Sequence, residues 1–146
     1  MSQLAKSVIS LRVGGDAVLP EQVTALLGVQ PSMSYRKGEL HTASTGRSFV
    51  RPIGLWLLRG REAEPEDVDA QVAEMLGKMN QDLSAWHALA SEFKVDLFLG
   101  LFMSGTNEGF TLSATTLSSL ANRHVEVGFD IYAPDQELSA EANAVA

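Results

Sequence analysis

The sequence predicts an α+β domain in which helices cover one face of a mixed sheet of four or five strands. Residues 95–103 alternate aliphatic or Met side chains with other types over nine positions, a period typical of a strand. Residues 7–14, 53–58 and 125–132 show the same alternation. Residues 65–93 instead place apolar side chains at three- and four-residue steps, which predicts an amphipathic helix.

The segment after the first strand predicts a short helix. Pro20 suits a first helical position, Glu21 suits the first turn, and Gly28 suits the residue after the last turn. Residues 29–40 then predict a short edge strand or an extended loop. The polar residues 41–51 predict a mobile excursion.

The apolar stripe that follows the third strand predicts one long helix. It begins at Pro65 and ends between Ala90 and Phe93. A second short helix is predicted from Ala114, with Ser113 as its N-cap because a Ser side chain there accepts a backbone N–H.

The order of strand, short helix and extended segment occurs twice, at residues 7–36 and 95–132. This repeated order predicts a duplicated β-α-β arrangement, ferredoxin-like in spirit, in which the long helix joins the two units. Length and pattern predict one domain over residues 1–133, and residues 134–146 are expected to form a flexible acidic tail.

Composition excludes several functional classes. The 146 residues carry a net charge of -7, which argues against binding to nucleic acid or an anionic membrane. The chain has no cysteine, so disulfides, thiolate metal sites and Cys nucleophiles are excluded. The N-terminus lacks a signal-peptide core and no apolar run reaches spanning length, so we expect a cytoplasmic protein.

Aligning the strands by their aliphatic residues predicts which side faces the helices. The predicted helix-facing residues are Ile9, Leu11, Val13, Ile53, Leu55, Leu57, Leu97, Leu99, Leu101, Val127, Phe129 and Ile131. The opposite face then collects rings and charges, which we take as candidate ligand- or partner-binding residues: Arg12, Trp56, Asp96, Phe98, Phe102, Asp130 and Tyr132. Gly54, Gly100 and Gly128 fall on the same face, and a strand glycine often marks a close approach.

Three interpretations of this Gly/aromatic face remain open. The rings lie over the glycines under a covering loop, or the face is an interface with a second copy or another protein, or it is a small-ligand groove with Arg12 as anion anchor. We favour a non-enzymatic binding domain that acts through this face or through the loop at residues 40–52.

Five segments resemble a known family in their order and spacing. They are Ser34–Glu39, Gly54–Trp56, Val95–Gly100, Gly109–Ser113 and Val127–Tyr132. The chain resembles a bacterial family described as Domain of Unknown Function 4279, from the first strand to the end of the last. The resemblance implies an α+β domain and no established activity, so it implies no catalytic residues.

The alternative function is a small anionic-ligand sensor or a small enzyme. Arg36 and Lys37 form the compact basic cluster before Gly38, and an Arg-Lys pair is able to bind a phosphate or carboxylate. Asp96 and Asp130 are the best candidates for paired carboxylates. The competing interpretation is a solvated turn, or Arg36 paired with one of these aspartates.

The three histidines predict no metal site. His41, His87 and His124 lie on different predicted elements, and no two have the spacing that places ligands on one helix face. No nucleotide-binding motif is present either. We therefore predict no catalytic residues, no metal and no cofactor.

Overall fold

The computed structural model describes residues 2–134. Its strands are β1 Ser2–Gln3, β2 Lys6–Gly15, β3 Met33–Tyr35, β4 Leu40–Thr42, β5 Ser48–Val50, β6 Gly54–Arg59, β7 Lys94–Phe102, β8 Glu108–Gly109 and β9 Glu126–Tyr132. Its helices are α1 Pro20–Leu27, α2 Val68–Gly77, α3 Leu83–Glu92 and α4 Ala114–Asn122. Five strands form the main sheet in the order β3-β6-β2-β7-β9, while β1 pairs with β8 and β4 with β5.

The main sheet is mixed, which confirms the predicted α+β class. β2 runs antiparallel to both of its neighbours, β6 and β7, and β3 runs antiparallel to β6. β7 and β9 are parallel, and α4 connects them. Two parallel strands need such a crossover, because the chain must return to the end of the sheet at which the first strand began, and a tight turn joins only antiparallel strands.

The predicted repeat holds in element order but not in placement. In the second unit, β7 and β9 are direct neighbours in the sheet. In the first unit, β6 lies between β2 and β3. The two β-α-β units are therefore not equivalent in the sheet. The last strand of the second unit, β9, lies at one edge.

Three predicted helix termini are confirmed. Pro20 is at the start of α1, and Gly28 ends it in the left-handed conformation with φ of 77°. A residue without a Cβ adopts this conformation at low cost, which is why glycine is common at this position. Ser113 caps α4, since its side chain accepts a hydrogen bond from the backbone N of Thr116 at 3.1 Å.

The prediction of one long helix was wrong, because the chain breaks between α2 and α3. Asp82 starts α3 as its N-cap and accepts a hydrogen bond from the backbone N of Ser84 at 3.0 Å. Asn80 sits in the break, where its side chain donates to the carbonyl of Leu26 at 2.9 Å. Its own carbonyl accepts from Trp86 Nε1 at 2.8 Å. These contacts fold α3 back on the core.

The segment predicted as a mobile excursion contains a β-hairpin made of β4 and β5. Leu40 pairs with Val50, and Thr42 pairs with Ser48. Gly46 lies in the connecting turn with φ of 85°, a value that glycine tolerates well. The hairpin has its own ladder and does not join the main sheet.

Alternation along β2 and β7 places the helix-facing side as predicted. The aliphatic residues that are buried on this covered face are Ile9, Leu11, Val13, Leu97, Leu99 and Leu101. They form one cluster with apolar residues of α1, α2, α3 and α4. We call this side of the sheet the covered face and the other side the open face.

The predicted phase of β6 was wrong. Trp56 pairs with Val13, so both side chains lie on the covered face, and Leu55 and Leu57 point to the open face. Trp56 is fully buried and donates its Nε1 hydrogen bond to Thr24 Oγ1 at 3.0 Å. Trp56 is therefore a core residue that fixes α1 against the sheet.

Gly54 was also assigned to the wrong face, and its lack of a side chain has a packing reason. A Cβ at this position would lie 2.8 Å from the Gly15 carbonyl oxygen and 2.9 Å from Val18 Cβ. Both neighbours are held by backbone, so neither yields easily. Ile53, predicted as the first helix-facing residue, precedes β6 and is exposed.

β9 follows the predicted phase, but its outer residues are only partly covered. Phe129 pairs with Leu99 and Ile131 with Leu101, so their side chains lie on the covered side. Both remain exposed because β9 is the last strand of the sheet. The predicted tail, residues 134–146, lies outside the described residues apart from residue 134.

Candidate interaction face

The open face spans all five strands of the main sheet. Strand pairing brings onto it Lys6, Val8, Ser10, Arg12, Met33, Tyr35, Leu55, Leu57, Asp96, Phe98, Gly100, Phe102, Gly128, Asp130 and Tyr132. The buried side chains of β2 and β7 that contact the helices lie on the opposite side. Of the nine candidates, six therefore share this face: Arg12, Asp96, Phe98, Phe102, Asp130 and Tyr132.

A charged pair occupies the middle of the open face. Arg12 donates to Asp96 through Nε at 2.8 Å and through a terminal nitrogen at 2.7 Å, a two-pronged contact between neighbouring strands. The Arg12 guanidinium carbon also lies 4.9 Å from the ring centroid of Phe98. The hydrogen bond to Asp96 raises the pKa of Arg12 above its usual value. The carboxylate of Asp96 thus already occupies the guanidinium of Arg12, which leaves Arg12 less able to bind the anionic group of a ligand.

A stacked row crosses the far end of the same face. Lys6 Nζ lies 4.5 Å from the centroid of Phe102, and the rings of Phe102 and Tyr132 stack at 4.7 Å with 10° between their planes. The Tyr132 hydroxyl donates to Asp130, and this hydrogen bond raises the pKa of Tyr132. Cation, rings and carboxylate form one ordered surface across three strands.

The two glycines predicted on this face differ in what surrounds them. A Cβ on Gly100 would lie 2.6 Å from Val8 Cγ2, so the neighbouring strand requires a glycine there. A Cβ on Gly128 would meet no atom within 4 Å. Packing within the described chain therefore explains Gly100 and leaves Gly128 unexplained.

The open face continues at β3 onto the β4–β5 hairpin. The Arg51 guanidinium carbon lies 3.9 Å from the centroid of Tyr35 and 5.0 Å from that of Phe49. The Phe49 ring in turn contacts the ring of His41, with centroids 5.1 Å apart. A row of half-buried side chains that ends at the exposed ring of Phe49 thus leads from the edge of the sheet onto the hairpin.

Residues 36–53, which we call the arm, differ in charge from the rest of the chain. They contain four cationic residues and one acidic residue, whereas the whole chain carries -7. Large apolar side chains that the arm exposes to solvent are Leu40, Phe49, Val50 and Ile53. An apolar, cationic projection on an acidic protein is a feature of interaction surfaces.

The basic cluster does not meet the aspartates of the open face. Arg36 is paired with Glu21, and Lys37 Nζ lies 3.0 Å from Asp16 Oδ2. Arg36 follows the edge strand β3, three strands from Asp96, a separation of roughly 14 Å at usual strand spacing. The alternative pairing of Arg36 with Asp96 or Asp130 is therefore wrong. The basic cluster and the two aspartates do not come together as one ligand site.

Asp96 and Asp130 are not a carboxylate pair. Asp130 lies opposite Gly100, four residues along β7 from Asp96. Four residues of strand separate the two side chains by roughly 13 Å along the sheet. Each aspartate has its own partner, Arg12 or Tyr132, so shared acid–base chemistry has no geometric basis here.

Sequence spacing missed one cluster. The rings of His87 and His124 stack with centroids 4.2 Å apart, and His87 Nε2 lies 2.7 Å from the carbonyl of Asn122. The two residues are brought together by packing of α3 against the end of α4, which no local pattern encodes. Within residues 2–134, no three His, Cys, Asp or Glu side chains are grouped so as to hold a metal ion.

Comparison with known proteins identifies the family of this chain. The model of a family described as a domain of unknown function, DUF4279, matches residues 5–134. The chain belongs to this family. No curated protein and no solved structure matches the chain. The DUF4279 match includes the whole main sheet, the arm and all four helices. None of these helices is long and apolar enough to cross a membrane.

Proposed function

We propose that this DUF4279 chain is a non-enzymatic protein-binding domain whose partner docks on the open face. The observation that carries the proposal is a five-stranded sheet with rings and aliphatic side chains on the side opposite its helices. A largely antiparallel sheet can leave one face in water, but that face is then usually polar, and a contiguous apolar and aromatic patch on it is typical of a protein–protein contact. Within residues 2–134, the helical layer lies on the other side.

The chemistry of the open face suits a protein partner. The central charge is already paired, as Arg12 bonds Asp96, so covering it leaves few unsatisfied groups, whereas Lys6, stacked on Phe102, would take a hydrogen-bond acceptor from the partner. Rings that keep fixed positions lose little entropy on binding and are common at the centre of interfaces.

The arm supports a partner with an acidic rim. Arg36 and Lys37 are paired with Glu21 and Asp16, so it is Arg47 and Arg51 of the arm that would attract acidic residues at the β3 end of the open face, and the exposed apolar residues add contact area. The candidate acid–base groups support no reaction, because the aspartates are separated and each has a neutral or cationic partner.

The test is partner capture from lysate of the native host with matched variants. Met33→Asp and Phe98→Asp place a carboxylate on the open face, and Leu83→Asp places one on α3. Met33 and Leu83 are equally exposed at 37%, so the two substitutions differ in location rather than in burial. Mass spectrometry identifies proteins captured by the wild type.

The proposal expects one partner that both open-face variants lose and that Leu83→Asp retains. Thermal melts followed by circular dichroism ensure that each variant is folded. A partner retained by both folded open-face variants, or lost equally with Leu83→Asp, would contradict the assignment of this face.

A further inference from the structure

The backbone of β9 has one side without a strand partner in residues 2–134, where β9 pairs only with β7. The N–H of Met103 donates to the carbonyl of Tyr132 at 2.9 Å, so Tyr132 directs its backbone toward β7. Backbone direction alternates along a strand. Val127, Phe129 and Ile131 therefore direct their N–H and C=O groups away from β7, toward the outer edge.

Apolar side chains lie beside this edge. Phe129 and Ile131 are 50% and 58% exposed, although they belong to the covered side of the sheet. An edge strand with unpaired backbone and apolar side chains is a template for pairing with another strand.

We propose that two copies of this chain associate through β9, antiparallel and edge to edge, with the two-fold axis at Phe129. The contact is made through the edge of the sheet, where Gly128 and Asp130 also border the open face, and it does not depend on the proposed function. The pairing would join two main sheets into one continuous sheet of ten strands, so that both open faces lie on the same side.

The register centred on Phe129 matches side chains on both sides of the sheet. On the covered side, Phe129 lies opposite its copy and Val127 lies opposite Ile131. All of these contacts are apolar, and cross-strand apolar pairs stabilise a sheet. This register also pairs every residue of β9, because Phe129 is the middle residue of Glu126–Tyr132.

On the open side, the same register keeps the acidic residues apart. Asp130 lies opposite Gly128 of the second copy, and Glu126 lies opposite Tyr132. Shifting the register by two residues in one direction places Asp130 opposite Asp130, and in the other direction places it opposite Glu126. Like charges directly opposite are destabilising, and a one-residue shift exchanges the two faces. Charge thus selects the centred register.

This register gives Gly128 a role. No atom of the described chain lies within 4 Å of a Cβ at this position, so internal packing does not require glycine. A glycine in a strand costs stability and usually accompanies close approach of another group. In the proposed pair, the Asp130 side chain of the second copy lies directly across from Gly128 and occupies the space that a side chain would fill.

The experiment uses the absence of cysteine from the sequence. Residues directly opposite in a hydrogen-bonded antiparallel pair have Cα atoms about 5.5 Å apart, and their Cβ atoms, about 5 Å apart or slightly more, are wider than the roughly 3.5–4.5 Å of an unstrained disulfide. A short bifunctional thiol reagent spans this gap, so it should cross-link Phe129→Cys to its copy across the two-fold axis. Ile131→Cys is the matched control, because its copy lies roughly 13 Å away along the strands.

With this reagent, we expect a covalent dimer for Phe129→Cys and a monomer for Ile131→Cys on a denaturing gel. Equal cross-linking of the two variants would indicate random collision and would overturn the proposal. So would the absence of cross-linking in both, including the case in which the chain's own residues after Pro134 cover β9.

A second variant keeps the test independent of Phe129. Gly128→Glu adds a carboxylate in open space on one copy and opposite Asp130 in the pair, so it leaves the monomer folded. Sedimentation of the wild type should reveal a dimer, and Gly128→Glu should raise its dissociation constant by about tenfold or more. A wild type that stays monomeric, or a dimer that Gly128→Glu leaves unchanged, contradicts β9 pairing.

Discussion

The two faces of the main sheet are built from the same strands but are stabilised in different ways. The covered face interlocks with helices through close contacts, as where Trp56 reaches Thr24 and Gly54 makes room for Val18. The open face is ordered within its own plane, by Arg12 bonded to Asp96 across neighbouring strands. The difference separates residues that hold the fold from residues available to a partner.

The contrast also distinguishes residues of the same type. Trp56 and Phe98 are both ring residues in strands, yet Trp56 is fully buried and Phe98 lies under Arg12 on the open face. A substitution on the covered face should mainly lower stability, whereas one on the open face should affect binding at a smaller cost in stability.

The largest effect is expected for Trp56→Ala. Removing a fully buried ring and its hydrogen bond to Thr24 should lower the free energy of unfolding by about 3–5 kcal/mol. Phe98→Ala, the matched open-face change, should cost less than about half as much because its ring is only partly buried. Denaturant unfolding measures both, and equal losses would place the two rings in the same kind of environment.

Adding one methyl group to a glycine compares the faces with a smaller change. Gly54→Ala forces backbone apart at 2.8 Å and should cost about 1–3 kcal/mol. Gly128→Ala enters open space and should be neutral or stabilising by up to about 1 kcal/mol. Thermal melts at low protein concentration, where the β9 contact is disfavoured, give the comparison, and a destabilised Gly128→Ala would count against an open edge.

Removing Arg12 tests the charge pairing of the open face. Asp96 is buried and would lose its cation, whereas Arg12 is partly exposed, so Arg12→Ala should cost about 1–2 kcal/mol. The double variant Arg12→Ala/Asp96→Ala should recover part of that loss, because it leaves no buried carboxylate without a partner. Additive losses in the double-mutant cycle would argue that the pair is not formed in solution.

The smallest effect is a titration on the open face. Asp130 raises the pKa of Tyr132, so this contact stabilises the fold below about pH 10 and the stabilisation is lost as pH rises through the folded-state pKa. In Asp130→Ala, the pKa of Tyr132 should fall toward its ordinary value. Phenolate absorbance reports it in a Tyr35→Phe background, since the chain has two tyrosines. If the titration midpoint of Tyr132 were the same in Asp130→Ala as in the parent, the Tyr132–Asp130 hydrogen bond would not form in solution.

Local sequence signals predicted much of the fold. Pro20, Gly28 and Ser113 sit at the helix termini where their chemistry places them. The phase of β2 and β7 was also predictable, because one side of each strand is consistently aliphatic. β6 is different: its residues are apolar on both sides, so alternation alone leaves its phase undetermined. Packing of Val18 on Gly54, distant in sequence, decides it.

Candidate residues could be placed on the correct face only in strands whose alternation shows which side is buried. Phe98, Phe102 and Asp96 follow from the alternation of β7, whereas Trp56 was misplaced with β6. The break between α2 and α3 also escaped prediction, because the apolar stripe continues across it. Asp82, as an N-cap residue type, was the signal available. The stacking of His87 on His124 has no local signal, since it depends on how two helices pack.

Hydroxyl-radical footprinting of the folded protein tests the two-faced sheet most directly, because it reports side-chain exposure residue by residue. Indole is intrinsically more reactive than phenyl, yet Trp56 should be protected while Phe98 and Phe102 on the open face are labelled. Labelling of Trp56 together with protection of both phenylalanines would mean that the faces are reversed or equally covered, and would contradict the account.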